Sequence, residues 1–439
     1  MWAAVRQLTG RRCDNGTAPG VTADSLNQQC AIISTDSAYQ IPQRKSTATC
    51  KDLDVGLVSE WQVFKLLDTL PATATGMDRL PAWFLRIGAP FFYQPVTRLF
   101  NKSVATSSVP HQWKEAYIHP VPKVPSPQQN SDYRPISITP ILSRILERII
   151  VKTFLYSAIT QPPPSLNFSD QFGFRPTGST TAALIAILHA ITDMLSSNPY
   201  VIVLALDFSK AFDSVRQSTL LQKIAMLDIP DIVYNWLVDF FSGRRHCTRY
   251  SGSTSVMLDI SASIIQGSAV GPVSYVINAA DLDTSTSGNC IFKYADDTYI
   301  VIPASNAQSR STELNHVAQW AHTNNLKLNR AKSTEIIFCN SRSKRPECNL
   351  SELPDIRRVT AITVLGVNIT NHLSISEHVS GVITKCAQSL HALKILRNHG
   401  MSDDALNVIY KAVVIARVLH AIPAWWGFTT ATDLSLIHI

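Results

Sequence analysis

The sequence has no closely spaced cysteines. Its eight cysteines are scattered through 439 residues, and no two stand at C-x-x-C spacing. This distribution argues against a zinc knuckle or ribbon, and it is typical of reduced thiols inside the cell. We therefore predict an intracellular protein, located in the nucleus, the cytoplasm or both.

Long apolar runs are also missing. We find no stretch of ~20 uncharged apolar residues and no long apolar segment near the first residue. These absences predict no membrane span, no membrane partner and no secretory signal. No repeat of solenoid period is visible, which excludes a repeat architecture.

The composition supports a folded, mildly basic protein. Apolar residues make up 45% of the chain, enough to build a sizeable core. The formal net charge of +7 favours an acidic partner such as nucleic acid, although many soluble enzymes are equally basic. A chain of this length predicts two or three lobes.

Hydrophobic periodicity divides the chain into a polar start and a mixed body. Residues 1–59 are polar, which predicts a disordered N-terminal segment, and an apolar pattern begins near Glu60. The remaining pattern predicts helices, buried strands and one hairpin. The helices cover 141–150, 184–195, 220–227, 314–321, 376–397 and 403–417; the strands cover 201–206 and 334–338, and the hairpin 291–302. Helices alternating with non-consecutive strands predict an α+β fold with a helical end.

Three carboxylates stand out at the ends of these strands. Asp207 closes the apolar run 201–206, and Asp296 and Asp297 lie at the tip of the predicted hairpin. Neighbouring carboxylates repel one another, and a carboxylate beside a buried strand is costly to leave unpaired, so both sites need a cation. The alternative is that Asp207 caps a helix and Asp296-Asp297 form an ordinary turn.

Three carboxylates from two strands can hold two Mg²⁺ ions. Mg²⁺ prefers oxygen ligands and keeps several waters or phosphate oxygens. Two such ions ~3.5–4 Å apart stabilise the attacking and leaving oxygens of a phosphoryl transfer. The protein then needs only to position the reactants and supply charge, with little covalent chemistry of its own.

Seven motifs in order extend this pattern and resemble the reverse transcriptases of non-LTR, LINE-type retrotransposons, most closely the jockey-like ones. The resemblance covers roughly residues 60–417. The motifs are DYRPISIT (132–139), QFGFRPTGST (171–180), ALDFSKAFD (205–213), SIIQGSAVGP (263–272), YADD (294–297), LKLNRAKSTEIIF (326–338) and VLGV (364–367).

The resemblance implies a right-hand polymerase fold. The implied parts are an N-terminal extension bracing the fingers (60–112), fingers and palm with an antiparallel sheet (113–371, the palm from 198), and a helical, truncated thumb-like region (372–439). It also implies an RNA-directed DNA polymerase that adds deoxynucleoside triphosphates to a DNA primer on an RNA template. Two Mg²⁺ ions would serve the reaction.

The resemblance also assigns roles to single residues. Asp207 and Asp296 would bind the metals, with Asp297 as the third carboxylate, and Lys332 would protonate pyrophosphate. The residues implied to contact the nucleotide are Phe212, as the gate against ribose, with Gln266, Gly267, Lys123 and Arg134. Arg175 would touch template or nucleotide, and Leu365-Gly366 would form the primer grip. Phe212 could instead be a core residue, and Lys123 a solvated surface lysine.

The sequence departs from the family pattern in several places. Ile265 replaces the usual proline before Gln266, and residues 278–281 differ from the usual I-N-D-L. We expect no endonuclease domain before the polymerase and no Cys/His knuckle after it, as in a truncated element product. A second hypothesis is therefore a catalytically silent protein that binds nucleic acid. A host RNA-dependent polymerase or intron maturase fits the motifs less well.

Overall fold

The computed structural model describes residues 20–46, 58–339 and 350–437. The chain divides into two compact units, each built from two chain segments. The first unit joins Met1–Pro163 with Lys210–Asn278, and the second joins Pro164–Ser209 with Ala279–Ile439. This division differs from the predicted domain bounds, because residues 210–278 belong with the N-terminal part of the chain. The assignment of fingers, palm and thumb to particular ranges stays a prediction.

The strands of the described residues, in chain order, are β1 (Glu115–Pro122), β2 (Tyr133–Ile138), β3 (Tyr200–Leu206), β4 (Phe208–Ser209), β5 (Arg244–Tyr250), β6 (Ser253–Thr254), β7 (Leu258–Ile260), β8 (Cys290–Tyr294), β9 (Asp297–Pro303), β10 (Lys327–Leu328), β11 (Thr334–Cys339), β12 (Arg357–Val359), β13 (Ala361–Val364) and β14 (Val367–Thr370).

The first unit is built on a small mixed sheet. β1 pairs antiparallel with β2 and parallel with β5, and β5 also pairs with β6 and β7. Helix Asp231–Phe241 is apolar on nearly all sides and is almost entirely buried, as expected for a helix inside a core. The helices of this unit are Ala23–Ile33, Glu60–Asp68, Ala82–Ile87, Ala89–Ala105, Ile141–Ile150, Tyr156–Ala158, Ala211–Ser214, Gln217–Ala225, Asp231–Phe241 and Gly271–Asn278.

The prediction of a disordered segment over residues 1–59 is wrong for residues 20–46. Helix Ala23–Ile33 is capped by Thr22, and Leu26 and Asn27 are buried. The Asn27 side chain donates to the carbonyl of Val256 (2.9 Å) and accepts from the Thr248 hydroxyl (3.0 Å). The polar composition misled the prediction because buried hydrogen bonds use these side chains. Residues 1–19 and 47–57 lie outside the described residues.

The second unit is built on a five-stranded sheet of order β12-β11-β3-β9-β8. β3 lies in the centre and pairs antiparallel with β11 and β9, so its unbroken apolar sequence is buried on both faces. Helix Thr180–Ser197 packs on this sheet through Leu184, Leu188 and Ile191. The remaining α-helices are Arg310–Thr323, Ser376–Asn398, Asp403–Ile409, Ala416–Leu419, Ile422–Trp425 and Ala431–Ile437.

Two helices among the described residues are long and apolar enough to cross a membrane by length and composition alone, so the absence of a membrane span stays a prediction. They are Thr180–Ser197 and the helical run Asp403–Phe428. Thr180–Ser197 contributes several side chains to the core of its unit, as core helices of soluble proteins do. Length and composition by themselves are therefore weak evidence for a membrane partner.

The predicted secondary structure is largely confirmed. Strands 201–206 and 334–338 and the hairpin 291–302 lie within one residue or two of their observed bounds. The predicted helices are also present, although helix Ile141–Ile150 continues into a π-helical turn, Val151–Leu155, and Tyr410–Ile415 forms another. The α+β class is confirmed.

Candidate active site

The register of β3 and β9 brings the three predicted carboxylates to one end of the central strands. Leu206 pairs with Thr298, so the next step of the same antiparallel register sets Asp207 opposite Asp297. β8 and β9 form a hairpin in which Tyr294 pairs with Asp297. Asp296 therefore lies in the two-residue turn beside them. The prediction that separate strand ends place these aspartates together is supported by this register.

The electrostatics of these carboxylates show mutual repulsion. Partial burial, and then the charges of Asp296 and Asp207, together raise the pKa of Asp297 to about 6. Burial and the charge of Asp207 also raise the pKa of Asp296. Like charges held together in this way disfavour ionisation unless a cation joins them. The site thus has the electrostatic character of a cation-binding site.

An open cleft of about 560 Å³ brings a lysine to the same place. Asp207, Asp297 and Lys332 all line it, together with Tyr299 and Arg357. Lys332 lies in the turn 329–333, which also supports the first aspartate. The backbone N–H of Asn329 donates to the Asp207 carbonyl (2.8 Å), and the Ser333 hydroxyl accepts from the Asp207 N–H (3.2 Å).

The donor set suits Mg²⁺, but it does not form a closed cage. Among residues 20–46, 58–339 and 350–437, no group of three or more His, Cys, Asp or Glu side chains is arranged to enclose an ion. Mg²⁺ is commonly held by one or two carboxylates, with waters and substrate phosphates completing its shell. Oxygen donors at an open edge fit that mode of binding better than they fit zinc, which prefers nitrogen and sulfur.

A glutamine without a predicted role contacts the turn of the hairpin. The side-chain oxygen of Gln171 accepts hydrogen bonds from the backbone N–H groups of Gly173 (2.9 Å) and Ala295 (3.0 Å). Ala295 precedes Asp296 and has a φ of 56°, which non-glycine residues rarely adopt. The motif 171–180 was the only sequence signal that pointed to this segment.

In the first unit, Phe212 is half-buried and stacks on Tyr275, with ring centroids 4.7 Å apart and planes at 17°. Its carbonyl accepts from the N–H of Ile264 (2.8 Å). The ring is therefore held in place by its neighbours. This arrangement fits both the gate and the core-residue hypotheses.

The loop containing Gln266 and Gly267 lies close to β2. The Gln266 carbonyl accepts from the N–H of Ser137 (2.8 Å). Gly267 has a φ of +117°, and a Cβ there would lie 2.3 Å from the Ser137 carbonyl oxygen, so only glycine fits. Ile265, which replaces the usual proline, is buried, and its carbonyl accepts from the N–H of Ser268 (3.0 Å). The substitution therefore leaves the loop closed by its own hydrogen bond.

Lys123 and Arg134 lie on and beside the β1–β2 hairpin. Both side chains are exposed, and the ammonium of Lys123 donates to the Ser131 carbonyl (2.8 Å). The charges of Lys123 and Lys210 also affect the pKa of Asp213, a residue of the motif 205–213 without a predicted role. Burial raises the pKa of Asp213 to about 6, and these two lysines oppose the rise.

The remaining predicted residues lie in the second unit. The Arg175 guanidinium donates to the Phe168 carbonyl, so it helps to hold its own loop, and its predicted contact with template or nucleotide stays a prediction. Leu365 and Gly366 have φ values of 46° and 89°, as in a tight type I′ hairpin between β13 and β14. The His420 ring contacts this turn at the Leu365 carbonyl (3.0 Å).

Comparison with known proteins identifies the class to which this fold and site belong. Residues 121–369, more than half of the chain, match the family model "Reverse transcriptase (RNA-dependent DNA polymerase)". The chain therefore belongs to the reverse transcriptase family. This membership confirms the resemblance drawn from the motifs, and the right-hand polymerase fold is that of the family.

Particular relatives come from mobile elements of Drosophila melanogaster. The chain is 28% identical over 359 residues to the probable RNA-directed DNA polymerase from transposon X-element, covering 78% of this chain and 38% of the relative. It is also 28% identical over 405 residues to the RNA-directed DNA polymerase from mobile element jockey, covering 88% and 43%. The chain thus spans about two fifths of the length of these relatives.

A solved telomerase structure from Candida tropicalis, in complex with a fragment of telomeric RNA, has a TM-score of 0.43 and 12% identity to this chain. The match covers 82% of this chain and 62% of the telomerase chain. This likeness is too low to support the fold assignment, which rests on the family match.

Proposed function

We propose that this chain is an RNA-directed DNA polymerase that extends a DNA primer on an RNA template as part of non-LTR retrotransposition. One observation carries the proposal: the β3–β9 register and the β8–β9 turn bring Asp207, Asp296 and Asp297 to one open edge. Family membership and the mobile-element relatives support the same activity.

In the proposed reaction, Asp207, Asp296 and Asp297 would hold two Mg²⁺ ions. The ions supply charge stabilisation to the attacking primer 3′-oxygen and the leaving pyrophosphate. The carboxylates bind and orient, which suits a transfer in which the protein supplies placement and charge. Lys332 lines the same cleft and would donate a proton from its ammonium to a pyrophosphate oxygen, a step typically worth ~10²–10⁴-fold.

The proposed substrate contacts follow the predicted residues. Lys123 and Arg134 would bind the triphosphate of a deoxynucleotide, since exposed cations suit phosphate oxygens. Gln266 and Gly267 would pack on the nucleotide, and Phe212 would exclude the ribose 2′-hydroxyl. Arg175 would contact template or nucleotide, and the Leu365-Gly366 turn would support the primer end. The proposed location is inside the cell.

Primer extension with purified protein tests the activity. Wild-type protein should extend a DNA primer on an RNA template only when Mg²⁺ is present. Asp296→Asn keeps the side-chain volume but removes a metal-binding charge, so it should abolish extension without lowering the melting temperature. Asp355→Asn, in an exposed turn outside the site, is the matched control and should leave extension unchanged.

Two results would contradict this function. Extension by Asp296→Asn at the wild-type rate would show that the carboxylate edge is not the active site. Wild-type protein that binds the primer–template but never extends it would favour the catalytically silent hypothesis.

A further inference from the structure

A short segment supports the strand that leads into the catalytic turn. The carbonyl of Asp170 accepts from the N–H of Lys293 (2.7 Å), and the N–H of Phe172 donates to the Lys293 carbonyl (2.8 Å). Residues 170–173 therefore run beside β8 as an added strand-like support. They belong to the motif 171–180, for which family resemblance suggested a role only at Arg175.

Gln171 extends this support to the turn itself. Gln171 is 2% exposed, and its side-chain oxygen accepts a hydrogen bond from the N–H of Ala295. The pairing of β8 with β9 leaves this N–H without a strand partner. A buried N–H without a partner is costly, so this bond stabilises the observed turn. Ala295 also needs such support because left-handed backbone is unfavourable for a residue with a Cβ.

Two further contacts fix the base of the turn. A Cβ on Gly173 would lie 2.5 Å from the backbone nitrogen of Ala295, so the segment approaches the turn as closely as glycine permits. The buried ammonium of Lys293 lies 2.9 Å from the Asp170 carboxylate and donates to the carbonyls of Ala279 and Leu282 (both 2.8 Å). The strand before the turn is thereby fixed by backbone and side chain.

From these contacts we propose that Gln171 is a positioning residue for metal binding: it holds the Ala295 backbone so that the next residue, Asp296, presents its carboxylate beside Asp207. The inference rests on the proposed function and adds a residue to it. Gln171 has no contact with the reacting groups in this role. It acts through the turn, as residues behind metal ligands do in other metal sites.

The test compares variants of Gln171 that keep or remove the accepting oxygen. Gln171→Met has a similar volume but accepts no backbone hydrogen bond. Gln171→Glu keeps an accepting oxygen. The replaced amide nitrogen has no hydrogen-bond partner among the described residues, so no bond is lost there. The side chain of Gln171→Asn is one methylene shorter, so its oxygen no longer reaches the turn. This variant is used in place of Gln171→Met if Gln171→Met does not fold.

A matched control removes the same kind of bond elsewhere in the second unit. The buried carboxylate of Glu313 accepts from the backbone N–H groups of Ser285 (3.0 Å) and Thr286 (2.9 Å). Glu313→Met therefore leaves two backbone donors unpaired, as Gln171→Met does, together with the Asn289 side-chain amide (2.7 Å), but outside the active site. Its melting temperature shows how much stability is lost when such bonds are removed outside the active site.

Metal dependence is measured in two ways on every variant: Mn²⁺ binding by calorimetry on the full chain without nucleic acid, and the Mg²⁺ concentration for half-maximal primer extension. We expect Gln171→Met to lower the Mn²⁺ affinity and to raise the Mg²⁺ concentration for half-maximal extension, each by about 10–100-fold. This is the usual effect of removing a residue that orients a metal ligand. Primer–template affinity should not change. Gln171→Glu should restore both metal values, and Glu313→Met should alter neither.

Equal metal dependence in Gln171→Met, Glu313→Met and wild type would overturn the proposal and leave Gln171 a structural residue. A failure of wild type to extend a primer, with Mn²⁺ binding still lost in Gln171→Met alone, would overturn the polymerase function and retain the positioning role. Absence of both metal binding and extension in wild type would overturn both.

Discussion

The sharpest prediction concerns the choice of sugar at Phe212. Phe212→Ala should admit ribonucleotides, because the ring would no longer fill the space that a 2′-hydroxyl needs. Asp207, five residues earlier in the sequence, keeps its carboxylate. The ratio of ribonucleotide to deoxyribonucleotide efficiency should therefore rise by at least about tenfold, or ~1.4 kcal/mol, while extension with deoxynucleotides falls much less.

The structure also sets the expected loss of stability. A fully buried Phe→Ala change costs ~3–5 kcal/mol, but Phe212 is only half-buried, and its ring stacks on Tyr275. Such an aromatic pair adds ~0.5–1.5 kcal/mol. We therefore expect a loss of roughly 1–3 kcal/mol, seen as a melting temperature lower by several degrees.

The assay measures single-nucleotide extension with each sugar beside thermal unfolding. Phe212→Tyr, which keeps the ring, is the control and should retain discrimination. An unchanged sugar ratio in Phe212→Ala, together with a lowered melting temperature, would refute the gate and leave Phe212 as a packing residue.

Two further predictions concern charge. The pKa of Asp213 is raised to about 6 by burial, from 3.8, so its protonated form stabilises the fold below about pH 4, and this contribution is lost as pH rises towards 6. Asp213→Asn should remove that loss of stability, which is worth up to about 3 kcal/mol. Urea unfolding at pH 4.5 and 7.5 should therefore show a smaller difference in stability for the variant than for wild type. Equal differences would contradict the burial of the Asp213 carboxyl. If about three phosphates are contacted, RNA affinity should fall on the order of tenfold between 50 and 200 mM salt. Fluorescence anisotropy measures this affinity, and an affinity independent of salt would argue against the phosphate contacts. The exposed cations expected to contribute are Lys102, Lys123, Arg134, Arg148 and Lys152. Two other cations of the stretch 102–152 are engaged within the protein: Lys114 pairs with Asp239 (2.9 Å), and Arg144 donates to the Thr73 hydroxyl (2.8 Å).

Local pattern was enough to predict the elements that carry the carboxylates. The run 201–206 is short, apolar and rich in β-branched residues, and it proved to be the central strand β3. The hairpin around Asp296 follows from apolar arms on either side of a polar pair. These features depend on neighbours in sequence, which is why the sequence alone reveals them.

Contacts between distant segments could not be predicted in this way. The oxygen of Gln171 meets an N–H that lies 124 residues away, and no local pattern marks such a bond. The strand β5 reads RRHCTRY, which has no alternation of apolar and polar residues, although Arg244 and His246 are buried. Helix Ala23–Ile33 has only a small apolar face and depends on polar bonds to that region.

The interleaved construction of the two units has a consequence for synthesis on the ribosome. β1 needs β5 as its parallel neighbour, and the whole of residues 164–209, which belong to the other unit, is made between them. At ~5–20 residues per second, the first unit waits seconds to tens of seconds for its last segment, with the edge of β1 unpaired. Such edges promote aggregation, so a nascent chain halted before residue 244 should depend on chaperones.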